Sequence, residues 1–112
     1  MIRVMVVFVT AGSPEEARRL AGILLEGKAA GCVSIIDGMN SRYWWQGRLE
    51  NTTESLLVIK TRTAALDRII NLVKANHHDT VPEIIALPVI GGNPDYLAWL
   101  EKEVLPVDSQ PT

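Results

Sequence analysis

The stretch CVSIIDGMNSRYWWQGRLENTTESLLVIKT, Cys32–Thr61, decides the fold. Cys32-Val-Ser-Ile-Ile36 begins a strand. Asp37-Gly38 reads as a bend or bulge rather than an end, because strand-forming residues resume at Ser41-Arg-Tyr-Trp-Trp45. Gln46-Gly47 supplies a tight turn. The chain then returns through Arg48-Leu49-Glu50 to Glu54-Ser-Leu-Leu-Val-Ile-Lys-Thr61. The stretch is one hairpin whose strands are longer than a domain of this size needs. Tyr43 and Trp45 share one face of the strand and Trp44 takes the other.

The flanking segments complete the pattern. Ile2 to Thr10 is a nearly continuous β-branched run with Phe8, the signature of a strand buried on both faces. Ser13 offers an N-cap, Pro14 suits the first helical position, and Glu15-Glu16 suit the positive helix end. Ala17, Leu20, Ala21, Leu24 and Leu25 recur at helical spacing, which predicts a helix to about Ala29 with Gly31 ending it. Leu66, Ile69, Ile70 and Val73 predict a second amphipathic helix, and His77 extends its stripe. Pro82 to Ile90 predicts a fourth strand. Gly91-Gly92-Asn93-Pro94 breaks it, and a short helix follows from Asp95 to about Val104.

The order βαββαβ plus a C-terminal helix is α+β and ferredoxin-like, an antiparallel sheet with both main helices on one face. Residues 1–105 read as a single domain and residues 106–112 as a flexible tail. One sheet face is left uncovered and the aromatic hairpin protrudes. Both features predict an oligomer.

Composition narrows the function. The chain has 112 residues, 47% of them apolar, enough for one domain with a modest core. The formal net charge is −2 and no basic cluster stands out, which argues against a nucleic-acid-binding surface. Nothing is long enough to span a membrane. The apolar run after Met1 is Val-rich and followed at once by an acidic pair, so a buried strand explains it better than a secretory signal. The single cysteine, Cys32, cannot form an internal disulfide or complete a thiolate zinc site, and it points to a reducing compartment. Strand burial accounts for Cys32 better than nucleophilic chemistry, for which it has no nearby partner in the sequence.

Ser41-Arg-Tyr-Trp-Trp-Gln-Gly47, Glu54-Ser-Leu-Leu-Val-Ile-Lys-Thr61 and Val81-Pro-Glu-Ile-Ile85 together resemble the CutA family, the divalent-cation tolerance proteins. Gly31-Cys-Val-Ser-Ile35 resembles that family's Ala-Cys-Val-Asn-Ile segment, and Asp95-Tyr-Leu-Ala-Trp-Leu100 its closing Tyr-Leu-x-Trp helix. The matches fall in order from Val6 to about Leu100. The resemblance implies a compact cytoplasmic homotrimer, a link to copper and divalent-cation tolerance, no enzymatic reaction and no required cofactor. It also implies a likeness in fold to the PII signalling proteins. This chain departs from the family pattern in two places. His78 and Asp79 stand where the family has Pro and Tyr after its histidine, which His77 keeps. Val9 and Asn76 stand where some members carry Cys and a further His.

These residues define the candidate sites. Imidazole and carboxylate suit Cu(II) and Zn(II), so His77, Glu83 and Glu54 are the expected metal ligands, with Cu(II) or another divalent cation as an optional guest. Neighbouring helical side chains point about 100° apart, so His77 and His78 cannot both face one ion without local unwinding. Glu83 is either a solvated carboxylate at a strand start or a buried one paired with Lys60. Lys60 is placed in the cleft. Tyr43, Trp44 and Trp45 are expected at the intersubunit contact, since interface cores are rich in such residues. A base-stacking role would need aromatic residues on the first and third strands, where Phe8 stands alone. The loop Thr10–Glu16 offers carboxylates rather than the basic side chains an anion cradle needs, so it reads as helix capping. The leading reading is a non-enzymatic trimer of cation tolerance. The alternatives are a PII-like module binding a small anion through Lys60 and Arg62, and a purely structural trimer. An enzyme ranks last, because no nucleophile–base pair or complete metal set can be read.

Overall fold

The valine-rich run becomes an inner strand of the sheet. In a computed structural model, which describes residues 2–105, β1 (Val4–Ala11) pairs antiparallel with β3 (Arg48–Arg62) on one side and with β4 (Ile84–Pro88) on the other. β2 (Cys32–Trp45) pairs antiparallel with β3, so the order is β2-β3-β1-β4. Helices α1 (Pro14–Glu26), α2 (Leu66–Asn76) and α3 (Pro94–Glu103) complete the chain. The tail expected at residues 106–112 lies outside the described residues. No helix among the described residues is long and apolar enough to cross a membrane.

Side-chain alternation divides the sheet into two faces. Val7 and Val9 of β1 and Leu57 and Ile59 of β3 point to one face. There they pack with Leu20 and Leu24 of α1 and with Ile69 and Val73 of α2. Val6, Phe8, Val58, Lys60, Ile85 and Leu87 occupy the other face. Part of this second face is covered by α3, which packs on β3 and β1 and brings the Tyr96 ring 6.0 Å from Lys60 Nζ. Ile85 and Leu87 stay exposed.

Two boundaries differ from the sequence reading. Helix α1 stops at Glu26 rather than Ala29, because Lys28 takes a left-handed φ of 57° and the Ala29 N–H turns back to Leu24 O at 3.0 Å. Gly31 therefore does not cap α1. Its missing side chain makes room for Leu100, whose Cδ1 would lie 2.5 Å from a Cβ there. Strand β4 is also shorter than Pro82–Ile90. Its pairing with β1 begins at Ile84 opposite Val9 and ends at Pro88 opposite Met5.

The hairpin is as long as its sequence implied. Its register slips between Ile36 and Met39, at Asp37-Gly38, where Gly38 has φ 72°. The Ser55 hydroxyl donates to Asp37 at 2.7 Å and the Arg18 guanidinium donates at 3.2 Å, so the bulge is tied to both β3 and α1. The Ser55 hydrogen bond, aided by Arg18, holds the Asp37 carboxyl below its ordinary range against some desolvation. Beyond this point the hairpin is on its own. β1 pairs only with Ser55–Arg62, so residues 39–45 and 48–54 have no sheet partner but each other. They project as a two-stranded arm.

Gln46 and Gly47 close the arm with φ of 51° and 78°. Two left-handed residues match the strand twist, but the conformation costs an ordinary L-residue about 1 kcal/mol that Asn largely avoids. Gln46→Asn is expected to stabilise the protein by about 0.5–1 kcal/mol in urea unfolding, and Gln46→Val to destabilise it.

Candidate functional site

Where the arm leaves the sheet, a groove of about 850 Å³ opens between the arm, the end of β1 and the loop before β4. Tyr43, Trp45 and Glu54 line it from the arm, and Thr10 lines it from β1. His78, Asp79 and Glu83 line it from the loop. Strand register explains this meeting. Ser55 is opposite Ala11 and Ile84 is opposite Val9, so Glu54 and Glu83 both arrive beside the last residues of β1.

The same register separates Glu83 from Lys60. Lys60 lies opposite Val6, near the other end of β1, roughly 13 Å along the strand from Thr10 at about 3.3 Å per residue. Among the described residues no ion pair joins Lys60 to Glu83, and Glu83 is an exposed carboxylate ahead of β4. Lys60 is held against Tyr96 and does not line the groove, nor does Arg62.

His77 also takes a place other than the expected one. It ends α2 as the C-cap, with its N–H donating to Val73 O at 2.8 Å. Its side chain is 1% exposed and lies behind the groove wall. Both ring nitrogens are engaged. Nδ1 accepts the Asp79 N–H at 2.9 Å, so it carries no proton in this arrangement. Nε2 must then hold the proton and donate it to the Thr10 carbonyl at 2.7 Å. In this arrangement both ring nitrogens meet backbone partners rather than the groove. Among the described residues, no three His, Cys, Asp or Glu side chains converge closely enough to hold one ion.

Glu16 is the residue that the sequence reading missed. A first-turn acid suits the positive helix end from the surface, yet the Glu16 side chain is 2% exposed. Oε1 accepts the Gly12 N–H at 3.0 Å and Oε2 accepts the His78 N–H at 2.7 Å. The His77 ring stands 3.6 Å away and the Arg19 guanidinium 4.0 Å away from Oε2. Ser13 Oγ accepts the Glu16 N–H at 3.1 Å. The signal was present as Ser13-x-x-Glu16, the capping-box spacing, in which a glutamate reaches back over the helix start. Here it reaches one residue further back, to Gly12, and across to the groove loop.

The comparisons with known proteins agree with this architecture. Residues 5–103 match the family model described as CutA1 divalent ion tolerance protein. The chain belongs to the CutA1 family. It is 50% identical over 97 residues to the rice "Protein CutA 1, chloroplastic", covering 87% of this chain and 55% of that protein. It is 46% identical over 97 residues to the Thermus thermophilus "Divalent-cation tolerance protein CutA", covering 87% of this chain and 94% of that one. The chain thus spans little more than half of its plant relative and nearly all of its bacterial one. The crystal structure of CutA1 from Oryza sativa superposes with a TM-score of 0.90 at 46% identity, covering 93% of this chain and 95% of that one.

The Glu16 contacts predict an acid response. Burial alone raises the Glu16 carboxyl, but the two backbone N–H donors and the nearby His77 and His78 lower it below its ordinary 4.5 overall. A carboxyl lowered on folding contributes stability that is complete above the unfolded value and is lost as pH falls through the folded one. Glu16→Gln is expected to cost about 1–3 kcal/mol at pH 7 and to flatten the fall in stability below about pH 5. Chemical unfolding measured at a series of pH values tests both effects.

Proposed function

We propose that this protein acts as a homotrimer in tolerance of divalent cations, copper among them. The observation that carries the reading is the family match over residues 5–103, which spans the arm, the groove and all three helices. The relatives named for cation tolerance support a non-catalytic role. The free thiol of Cys32 favours the cytoplasm for this chain, although the rice relative is named chloroplastic.

The arm supports the trimer. Isolated two-stranded hairpins are marginally stable in water, and this one exposes Trp44 by 73% and Leu49 by 64%, directly opposite each other. Tyr43 and Trp45 are exposed on its other side. Packing against a neighbouring subunit would bury these rings and steady the strands. Glu54 and Glu83 are the carboxylates we propose to meet a cation in the groove, weakly, with a neighbouring subunit or water completing the shell.

Two measurements test the proposal separately. Light scattering at micromolar concentration is expected to give three times the chain mass, and Trp44→Ala with Leu49→Ala is expected to shift the protein toward smaller species. A monomeric wild type would overturn the assembly. Calorimetric titration with Cu(II) and with Zn(II) is expected to show weak binding that Glu54→Gln with Glu83→Gln reduces about tenfold or more, near 1.4 kcal/mol. Equal binding by both proteins would remove the cation from this groove.

A further inference from the structure

We propose that the groove at the base of the arm binds a linear aliphatic polyamine, a flexible chain of ammonium groups spaced by methylenes. Its volume of about 850 Å³ is that of a small-molecule site. Two unlike sets of side chains line it, three carboxylates and two aromatic rings.

The carboxylates set the sign of the occupant. Glu54 comes from the arm, and Asp79 and Glu83 come from the loop before β4. Among the described residues, none of the three carboxylates has an ion pair or a hydrogen bond. Arg42 and His78 are the basic groups of the lining, and Arg42 is turned to its own strand, with Nε donating to Asn40 Oδ1 at 3.2 Å. An anion would meet three unpaired acids here, so charge complementarity asks for a cation. The acids do not converge on one point, since no three His, Cys, Asp or Glu among the described residues could hold a single ion. Separated carboxylates suit a ligand whose positive centres are also separated.

The rings set its chemistry. Side-chain alternation puts Tyr43 and Trp45 on the same face of the arm as Glu54, and Tyr43 lies four residues, about 13 Å, from Met39, the cross-strand partner of Glu54. The lining therefore extends from a carboxylate at the arm's base to rings farther out. Tyr43 is 40% exposed and Trp45 46%, and among the described residues neither has another ring or a cation against it. Ring faces attract ammonium groups and cover methylenes. Val81 adds apolar surface on the loop side. A hydrated divalent ion takes oxygen ligands and makes no use of rings. A polyamine uses both sets, its ammonium groups on the carboxylates and its alkyl stretches along the rings. Trp44 and Leu49, the pair most open to a neighbouring subunit, lie on the arm's opposite face. The polyamine would share Glu54 and Glu83 with the metal cation proposed above, but its binding does not depend on any metal.

Calorimetric titration of the assembled full-length chain with spermidine tests this, in about 0.15 M salt to screen diffuse attraction. Saturable binding is expected. Trp45→Leu is expected to weaken it about threefold to tenfold, and Asp79→Asn by about threefold or more. Putrescine, shorter and with one ammonium fewer, is expected to bind wild type about tenfold more weakly than spermidine does. Mg(II) at the same concentration as spermidine is expected to leave spermidine bound. No saturable binding, affinity unchanged in both variants, equal affinity for putrescine, or displacement by equimolar Mg(II) would each overturn the proposal. Should Trp45→Leu disturb assembly, the surface variant Asp79→Asn and the putrescine comparison on wild type decide. Zn(II) is titrated separately and without polyamine, so failure of the metal reading and failure of the polyamine reading are told apart.

Discussion

β1 is eight residues long, and the hairpin beside it has strands of 14 and 15. The shorter strand can pair with only half of the longer one. Everything on the functional side of the molecule follows from that mismatch. The unpaired half becomes an arm, the junction becomes the rim of a groove, and the strand that stops there leaves its last carbonyls to be satisfied. The bulge at Asp37-Gly38 sits where the hairpin leaves the sheet, tied by Ser55 and Arg18. Without a neighbour, the arm would leave Trp44 and Leu49 in water, so its length is also an argument for assembly.

The junction imposes a second requirement. Burying a carboxylate is costly unless donors meet it. Glu16 finds two backbone N–H groups, from the start of α1 and from the loop that precedes β4. His77 adds a third tie, from the end of α2 to Thr10 in β1. Two side chains thus connect both main helices, the inner strand and the groove loop. Their hydrogen bonds depend on one another, because the donor that fixes the His77 tautomer lies two residues away in the same loop.

How much of this could be read from the chain varies with the kind of interaction. Periodicity carried the element order, and Gln46-Gly47 marked the turn, because both are local. Gly31 misled because helix ends and close packing both favour glycine, and only the position of Leu100 distinguishes them. Lys60 and Glu83 looked like a pair because opposite charges invite pairing. Strand register, which no single segment encodes, puts them near opposite ends of β1. The stripe of α2 correctly extended to His77 as a buried residue. It could not show which atoms its nitrogens would face, since those atoms lie 67 residues back in β1 and two residues on.

The departures at His78 and Asp79 gain a physical meaning from this network. Where the family pattern has proline after the histidine, this chain has His78, and the difference that matters inside the fold is the backbone. Proline has no N–H to give. His78 has one, and donates it to Glu16 Oε2 at 2.7 Å. The buried carboxylate therefore holds the groove loop directly, through a bond that a proline at this position could not form. The His78 imidazole lines the groove as a surface group. Its peptide nitrogen is the part that ties α1 to the site, so this residue acts first on the loop that shapes the cleft.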